Sequence, residues 1–167
     1  MLKKLFGKKN DQNTEEVLVS PLNGKILELS EVPDPVFSQK MMGDGLAIEP
    51  SEGKVVSPVE AEIVQLFPTK HAVGLKTDSG LEVLIHIGLE TVSMEGEGFE
   101  GHVEVGDKVK PGDDLISFDM DLVNEKAKST ITPVILTNGD DVVESKEVLN
   151  TGEATKGETE LLKVNLK

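Results

Sequence analysis

The chain of 167 residues contains no cysteine, no tryptophan, no tyrosine and no arginine. Without thiols it can form no disulfide, no thiolate nucleophile, no cysteine-type zinc site and no iron–sulfur cluster. All 17 basic residues are lysines, and they face 31 acids for a net charge of −14. A nucleic-acid binder needs a basic face, usually arginine-rich, so that class is excluded. No apolar run approaches the ~20 residues of a membrane-spanning helix. The N-terminus also lacks an apolar stretch of signal-peptide length, so the expected location is the cytoplasm. Hydrophobic residues make up 37% of the chain. Together with its length, this predicts one folded domain with a substantial core.

What is present begins with a tail unlike the rest. Residues 1–9 carry Lys3, Lys4, Lys8 and Lys9 and no acid, which leaves −18 on the remainder. Met1, Leu2, Leu5 and Phe6 fall near helical spacing, a pattern suited to weak contact with an anionic membrane surface. Residues 10–15 read as a polar linker. From residue 16 onward, short apolar or alternating runs are broken by 16 glycines and 8 prolines. Runs such as Lys25–Leu29, Ala61–Leu66, Ala72–Lys76, Leu81–Ile87 and Asp114–Phe118 predict a mostly β, antiparallel sandwich or barrel. Asp34–Met42 and Asp119–Ser129 are the stretches expected to supply short helical turns. Ser20-Pro21-Leu22-Asn23-Gly24-Lys25-Ile26-Leu27-Glu28-Leu29 returns as Ser57-Pro58-Val59-Glu60-Ala61-Glu62-Ile63-Val64-Gln65-Leu66, so an internally duplicated motif is expected to give two similar halves. Gly106-Asp107 and Gly112-Asp113 read as tight corners.

Three histidines carry the candidate chemistry. His71 and His86 bracket two apolar runs joined at Asp78-Ser79-Gly80, which reads as a hairpin. With the turn centred between Asp78 and Ser79, His71 and His86 face one another; a bulge at Gly80 shifts that register by one residue. Two facing imidazoles can bind a metal with ligands lent by a partner. They can also act as acid and base. Or one ring can accept a phosphoryl group while the other donates a hydrogen bond to it. His86 ends the apolar run Val83-Leu84-Ile85, and an apolar setting disfavours imidazolium and keeps a lone pair available. Gly88 allows close backbone approach. Thr69 stands two residues before His71 and is expected to orient its ring. His102, among glycines and acids, reads as structural.

Thr69-Lys70-His71, Asp78-Ser79-Gly80-Leu81-Glu82 and Ile85-His86-Ile87-Gly88-Leu89-Glu90-Thr91-Val92 together resemble the glucose-type enzyme IIA family of the bacterial phosphoenolpyruvate-dependent sugar phosphotransferase system. Val32-Pro33-Asp34-Pro35-Val36-Phe37, Gly43-Asp44-Gly45-Leu46-Ala47-Ile48, Gly96-Glu97-Gly98-Phe99 and Glu125-Lys126-Ala127-Lys128-Ser129-Thr130-Ile131-Thr132-Pro133-Val134 extend the resemblance in the same order. It makes residues 16–167 one EIIA domain. It implies that His86 accepts the phosphoryl group at its outer ring nitrogen, that His71 supports the phosphate, and that Thr69 stands beside it. The implied donor is the phosphohistidine of HPr. The implied acceptor is a cysteine on a IIB permease domain, which must lie on another polypeptide because this chain has no cysteine. Val36, Phe37, Met41, Met42, Phe67 and Ile87 are the expected apolar docking surface, with Asp34 and Glu90 as rim acids that attract a basic partner. Glu90 is longer than the family's usual aspartate. No cofactor is required, although His71 and His86 are also a conceivable zinc pair shared with a partner, and a monomer is expected. A biotinyl or lipoyl carrier would need a lysine at a hairpin tip, between methionines or after an aspartate. No lysine has methionine on both sides, and Lys108, which follows Asp107, lies in a turn. A zinc peptidase of related fold would need a His-x-His pair, which His86-Ile87-Gly88 breaks.

Overall fold

Turn-forming residues cut the chain into short extended runs, and in the computed structural model, which describes residues 15–167, these runs pair into three antiparallel sheets. The strands are β1 (Glu15–Val19), β2 (Gly24–Glu28), β3 (Asp44–Pro50), β4 (Lys54–Val56), β5 (Ala61–Leu66), β6 (Ala72–Lys76) and β7 (Glu82–His86). They continue as β8 (Phe99–Gly101), β9 (Lys108–Val109), β10 (Asp114–Phe118), β11 (Thr132–Leu136), β12 (Val143–Val148), β13 (Gly152–Ala154) and β14 (Glu160–Leu166). Short helices α1 (Pro35–Ser38) and α2 (Met120–Lys126) form inside the two stretches expected to turn helical, and α3 (Gly139–Val142) adds one more turn. Each of the first two is started by an aspartate side chain: Asp34 accepts from the Val36 amide at 2.9 Å and Asp119 from the Leu122 amide at 3.1 Å. The basic tail proposed from residues 1–9 lies outside the described residues. Glu15, expected in the linker, already pairs with Asn165 as the first residue of β1.

The largest sheet has the order β13-β2-β3-β11-β7-β6-β5-β9, and the smaller ones are β1-β14-β12 and β4-β10-β8. The mostly β sandwich expected from the sequence is thus observed. Its duplicated motif is visible in the hydrogen bonds. Val19 donates to the Pro58 carbonyl and Val56 to the Pro21 carbonyl, both at 2.9 Å, so each Ser-Pro turn closes the strand leading into the other. The Ser20 hydroxyl donates to the Leu22 carbonyl at 2.6 Å and the Ser57 hydroxyl to the Val59 carbonyl at 2.7 Å, both fully buried. The Gly157 amide caps Ser20 just as the Gly112 amide caps Ser57. The two Gly-Asp corners also match: Asp107 accepts from the Glu104 amide at 2.9 Å and Asp113 from the Lys110 amide at 2.8 Å.

The large sheet is apolar on both faces, and this places the site. Alternation along β7 sends Val83 and Ile85 into the main core with Val73, Leu75 and Val134. Leu84 faces the other way, into a smaller cluster with Ala72, Ala47, Ile135, Leu27 and Phe37. His86, two residues after Leu84, stands on that second face.

Candidate active site at the paired histidines

The hairpin that carries the histidines has a three-residue loop, Asp78-Ser79-Gly80. The Thr77 amide donates to the Leu81 carbonyl at 2.9 Å and Gly80 takes φ of 100°. The loop therefore centres on Ser79, so Ala72 pairs with His86 and Lys76 with Glu82. This corrects the register expected from the sequence: His71 does not face His86. The cause is the left-handed glycine as third loop residue, which adds the half-step that a two-residue turn lacks. His71 lies one position beyond the strand, where its carbonyl accepts from the Ile87 amide at 2.7 Å.

The two rings nonetheless meet. Strict alternation would send the His71 ring toward the core with Val73. Instead residues 67–71 turn, with the Lys70 amide donating to the Phe67 carbonyl at 2.8 Å and Lys70 itself at φ of 61°. A left-handed lysine costs about 1 kcal/mol, and the turn brings the His71 ring to the His86 side. Their centroids are 5.0 Å apart with planes at 79°. Phe67 stands edge-on to His71 at 5.2 Å, and Phe37 packs against His86 at 5.1 Å. Thr69 Oγ1 is hydrogen-bonded to His71 Nδ1, as expected, although through this turn and not through strand alternation.

His86 Nδ1 lies 2.9 Å from the Gly88 carbonyl. A carbonyl oxygen only accepts, so Nδ1 carries the proton and Nε2 is left with a free lone pair. Gly88 has φ of 72°, and a Cβ there would meet the Thr91 methyl at 2.6 Å and the Ser129 carbonyl at 2.8 Å. Only glycine fits this position. Both rings are neutral at pH 7. Burial pushes the His71 imidazole down to about 4, and the neighbouring His86 adds to this. Burial also lowers His86, opposed by its hydrogen bond to the Gly88 carbonyl and by the charge of Asp34. His71 is 3% exposed and His86 half-buried.

The expected docking residues divide. Val36, Met41 and Met42 are 38%, 68% and 37% exposed, and Phe67 is half-buried beside the histidines. Ile87 is fully buried in the main core, since it points opposite to His86, and Phe37 is buried against the His86 ring. Both are packing residues and no part of an exposed surface. Glu90 is exposed, at φ of 59°, whereas Asp34 is half-buried. His102 stands elsewhere, 2.7 Å from the Ser117 hydroxyl. An open groove of about 740 Å³ is lined in part by Met41, Met42, Asp44 and Lys146 but by neither histidine. Among the described residues no three His, Cys, Asp or Glu side chains converge as metal ligands.

An antiparallel β-sandwich that presents a neutral, tautomer-fixed imidazole at a shallow surface beside a second imidazole defines a class of protein. Such a ring can take a transferable group at Nε2 and give it up again. Comparison with known proteins makes the class specific. Residues 16–142 match the model of the phosphoenolpyruvate-dependent sugar phosphotransferase system EIIA 1 family. The glucose-specific EIIA component of Bacillus cereus is 59% identical over 167 residues, covering all of both chains. That of Staphylococcus epidermidis is 49% identical over 166 residues, covering 99% of each. The glucose permease IIA from Mycoplasma capricolum superimposes with a TM-score of 0.82 at 40% identity, over 90% of this chain and 97% of that one. The chain belongs to the EIIA 1 family and is a phosphocarrier component of the sugar phosphotransferase system. Among the described residues no helix is long and apolar enough to cross a membrane.

Proposed function

We propose that this chain carries phosphate on His86 Nε2, between phospho-HPr and a IIB cysteine of a sugar permease, with glucose as the sugar served. The observation that carries the reading is the His86 Nδ1–H donation to the Gly88 carbonyl, which leaves Nε2 unprotonated. The Nε2 lone pair attacks phosphorus as the N–P bond of the donor breaks. That bond's electron pair returns to the donor ring, which carries a proton on its other nitrogen and so leaves as neutral imidazole, and His86 becomes a phosphoimidazolium. Nδ1 keeps its proton throughout, so no base is needed on this chain. In the second step the IIB thiolate attacks, the S–P bond forms, and the N–P electrons return to His86. With the Thr69 hydroxyl donating to Nδ1, neutral His71 carries its proton on Nε2 and can donate it to a phosphoryl oxygen. No arginine clamps the phosphate, and a looser hold suits a group that must leave again.

The surroundings fit protein partners better than a small substrate. Exposed Val36, Met41 and Met42 offer an apolar docking patch, and Asp34 and Glu90 at its edge attract a basic partner. Both partners dock in turn on one face, for which a cytoplasmic monomer suffices. Residues 1–9, with four lysines, would add weak contact to an anionic membrane. Zinc is the second reading for the pair. His71 and His86 supply two of the four ligands that zinc takes, so a partner would have to provide the rest.

The test is phosphotransfer from phosphoenolpyruvate through enzyme I and HPr. Wild type should gain acid-labile, base-stable phosphate, and His86→Gln should gain none. Phosphate on His86→Gln at the wild-type level would overturn the assignment.

A further inference from the structure

Resting on the reading of His86 as acceptor, we infer that Thr91 is a positioning residue that fixes the His86 tautomer by clamping the Ile87–Gly88 peptide from two sides. Thr91 is fully buried at the start of the turn Thr91–Met94, and its hydroxyl donates to the Ile87 carbonyl at 2.6 Å. Its methyl carbon stands 2.6 Å from where a Cβ on Gly88 would lie, so it packs directly against the Gly88 backbone. The Ser129 carbonyl crowds the same side of Gly88, 2.8 Å from that point, and is itself held by the Leu89 amide at 2.9 Å. Gly88 thus sits at φ of 72° with the space for a side chain filled by a methyl group and a carbonyl. In that conformation its own carbonyl lies 2.9 Å from His86 Nδ1.

The chain accepts backbone strain to make this clamp. Glu90 adopts φ of 59°, a left-handed conformation unfavourable for a residue with a side chain, and this turns Thr91 back toward Ile87. Threonine alone combines the two contacts: serine would keep the hydroxyl without the methyl, and valine the methyl without the hydroxyl. Loss of either contact loosens the Ile87–Gly88 peptide, whose remaining tie is the longer 3.4 Å bond from the Gly88 amide to the Thr132 hydroxyl, so Gly88 can shift and its carbonyl can move off Nδ1. His86 then has no fixed acceptor at Nδ1, and the proton can move to Nε2, where it blocks attack on phosphorus.

The test uses the full chain labelled with nitrogen-15, as wild type, Thr91→Val and Thr91→Ser. Long-range proton–nitrogen spectra at pH 8 report which ring nitrogen of His86 carries the proton. Wild type should show a protonated Nδ1 and a bare Nε2. Each variant should move part of the proton population to Nε2 and slow phosphate acceptance from phospho-HPr by about tenfold, the usual scale for losing a group that orients a reactive side chain. The KM for phospho-HPr should stay unchanged, because Thr91 is buried and touches no partner. Should Thr91→Val fail to fold, Thr91→Ser, which keeps the buried hydrogen bond, gives the same readout. A His86 ring that stays protonated on Nδ1 in a folded variant would overturn the inference and leave Thr91 a packing residue. If His86→Gln accepts phosphate like wild type, the acceptor reading fails instead, and the tautomer spectra still decide the role of Thr91.

Discussion

At His71 the balance between burial and hydration sets the charge, and the charge sets the role. An imidazole held neutral down to about pH 4 can donate a hydrogen bond at physiological pH without adding a full positive charge beside the phosphate. That neutrality has a thermodynamic signature. The folded-state value lies below the ordinary 6.5, so above pH 6.5 neither the folded nor the unfolded state binds this proton and stability is flat in pH. Between 6.5 and about 4 only the unfolded chain binds it, so stability falls as pH falls, by about 1.4 kcal/mol per pH unit for one linked proton. Urea titrations across this range should show that slope in wild type and a shallower one in His71→Gln. Equal slopes would mean that His71 is not held neutral. In the relay, His71→Gln should still accept phosphate on His86 but pass it to a IIB cysteine at least tenfold more slowly, read by single-turnover transfer. Unimpaired transfer would remove His71 from the chemistry.

The hairpin of β6 and β7 explains how far a sequence can locate its own site. Its two strands, its turn and both histidines were legible from the apolar runs and from Asp78-Ser79-Gly80. The register was not, because a two-residue and a three-residue loop differ only in whether Gly80 turns left-handed. The meeting of the rings was foreseen on the wrong grounds. It comes from the turn at Lys70, whose φ no local rule for lysine suggests. Ile87 was misassigned because a single alternation step separates docking face from core. The Thr91 clamp stayed hidden because it joins residues four apart through a strained backbone rather than a helix or strand period. What holds the hairpin tip also lies far away in sequence. Asn138 accepts from the Glu82 amide at 2.9 Å and donates to the Gly80 carbonyl at 2.8 Å. Replacing it with alanine leaves two partly buried backbone groups unpaired and should cost about 1–3 kcal/mol in urea unfolding. The histidines lie at the other end of the strands, so phosphate acceptance at 25 °C should persist. Loss of acceptance in a folded Asn138→Ala protein would show that the tip controls the site.

For the whole molecule, the duplicated Ser-Pro unit does more than repeat. Each turn receives the strand that leads into the other, so neither half can close without its counterpart. The sequence showed the repeat at an offset of 37 residues but not this exchange, since reciprocal hydrogen bonds between distant turns leave no local pattern. Ser20 and Ser57 sit at equivalent points of the exchange, each fully buried and each donating its hydroxyl two residues ahead. Removing either hydroxyl leaves a buried carbonyl without that donor, so Ser20→Ala and Ser57→Ala should each cost about 1–3 kcal/mol. The two turns also share partners, because Val19 binds the Pro58 carbonyl and Val56 the Pro21 carbonyl. Neighbours coupled in this way fail to add, with interaction energies of about 0.5–3 kcal/mol. Once one turn has loosened, the other has less to lose, and the double variant should be less destabilised than the sum of the singles. The check is a double-mutant cycle in urea, followed on the amide signals of β4 and β14. Strict additivity would mean that the halves are stabilised separately and that the exchanged bonds do not couple them. A smaller loss in the double variant would make the Ser-Pro crossing one cooperative unit that ties the histidine-bearing sheet to the rest of the sandwich.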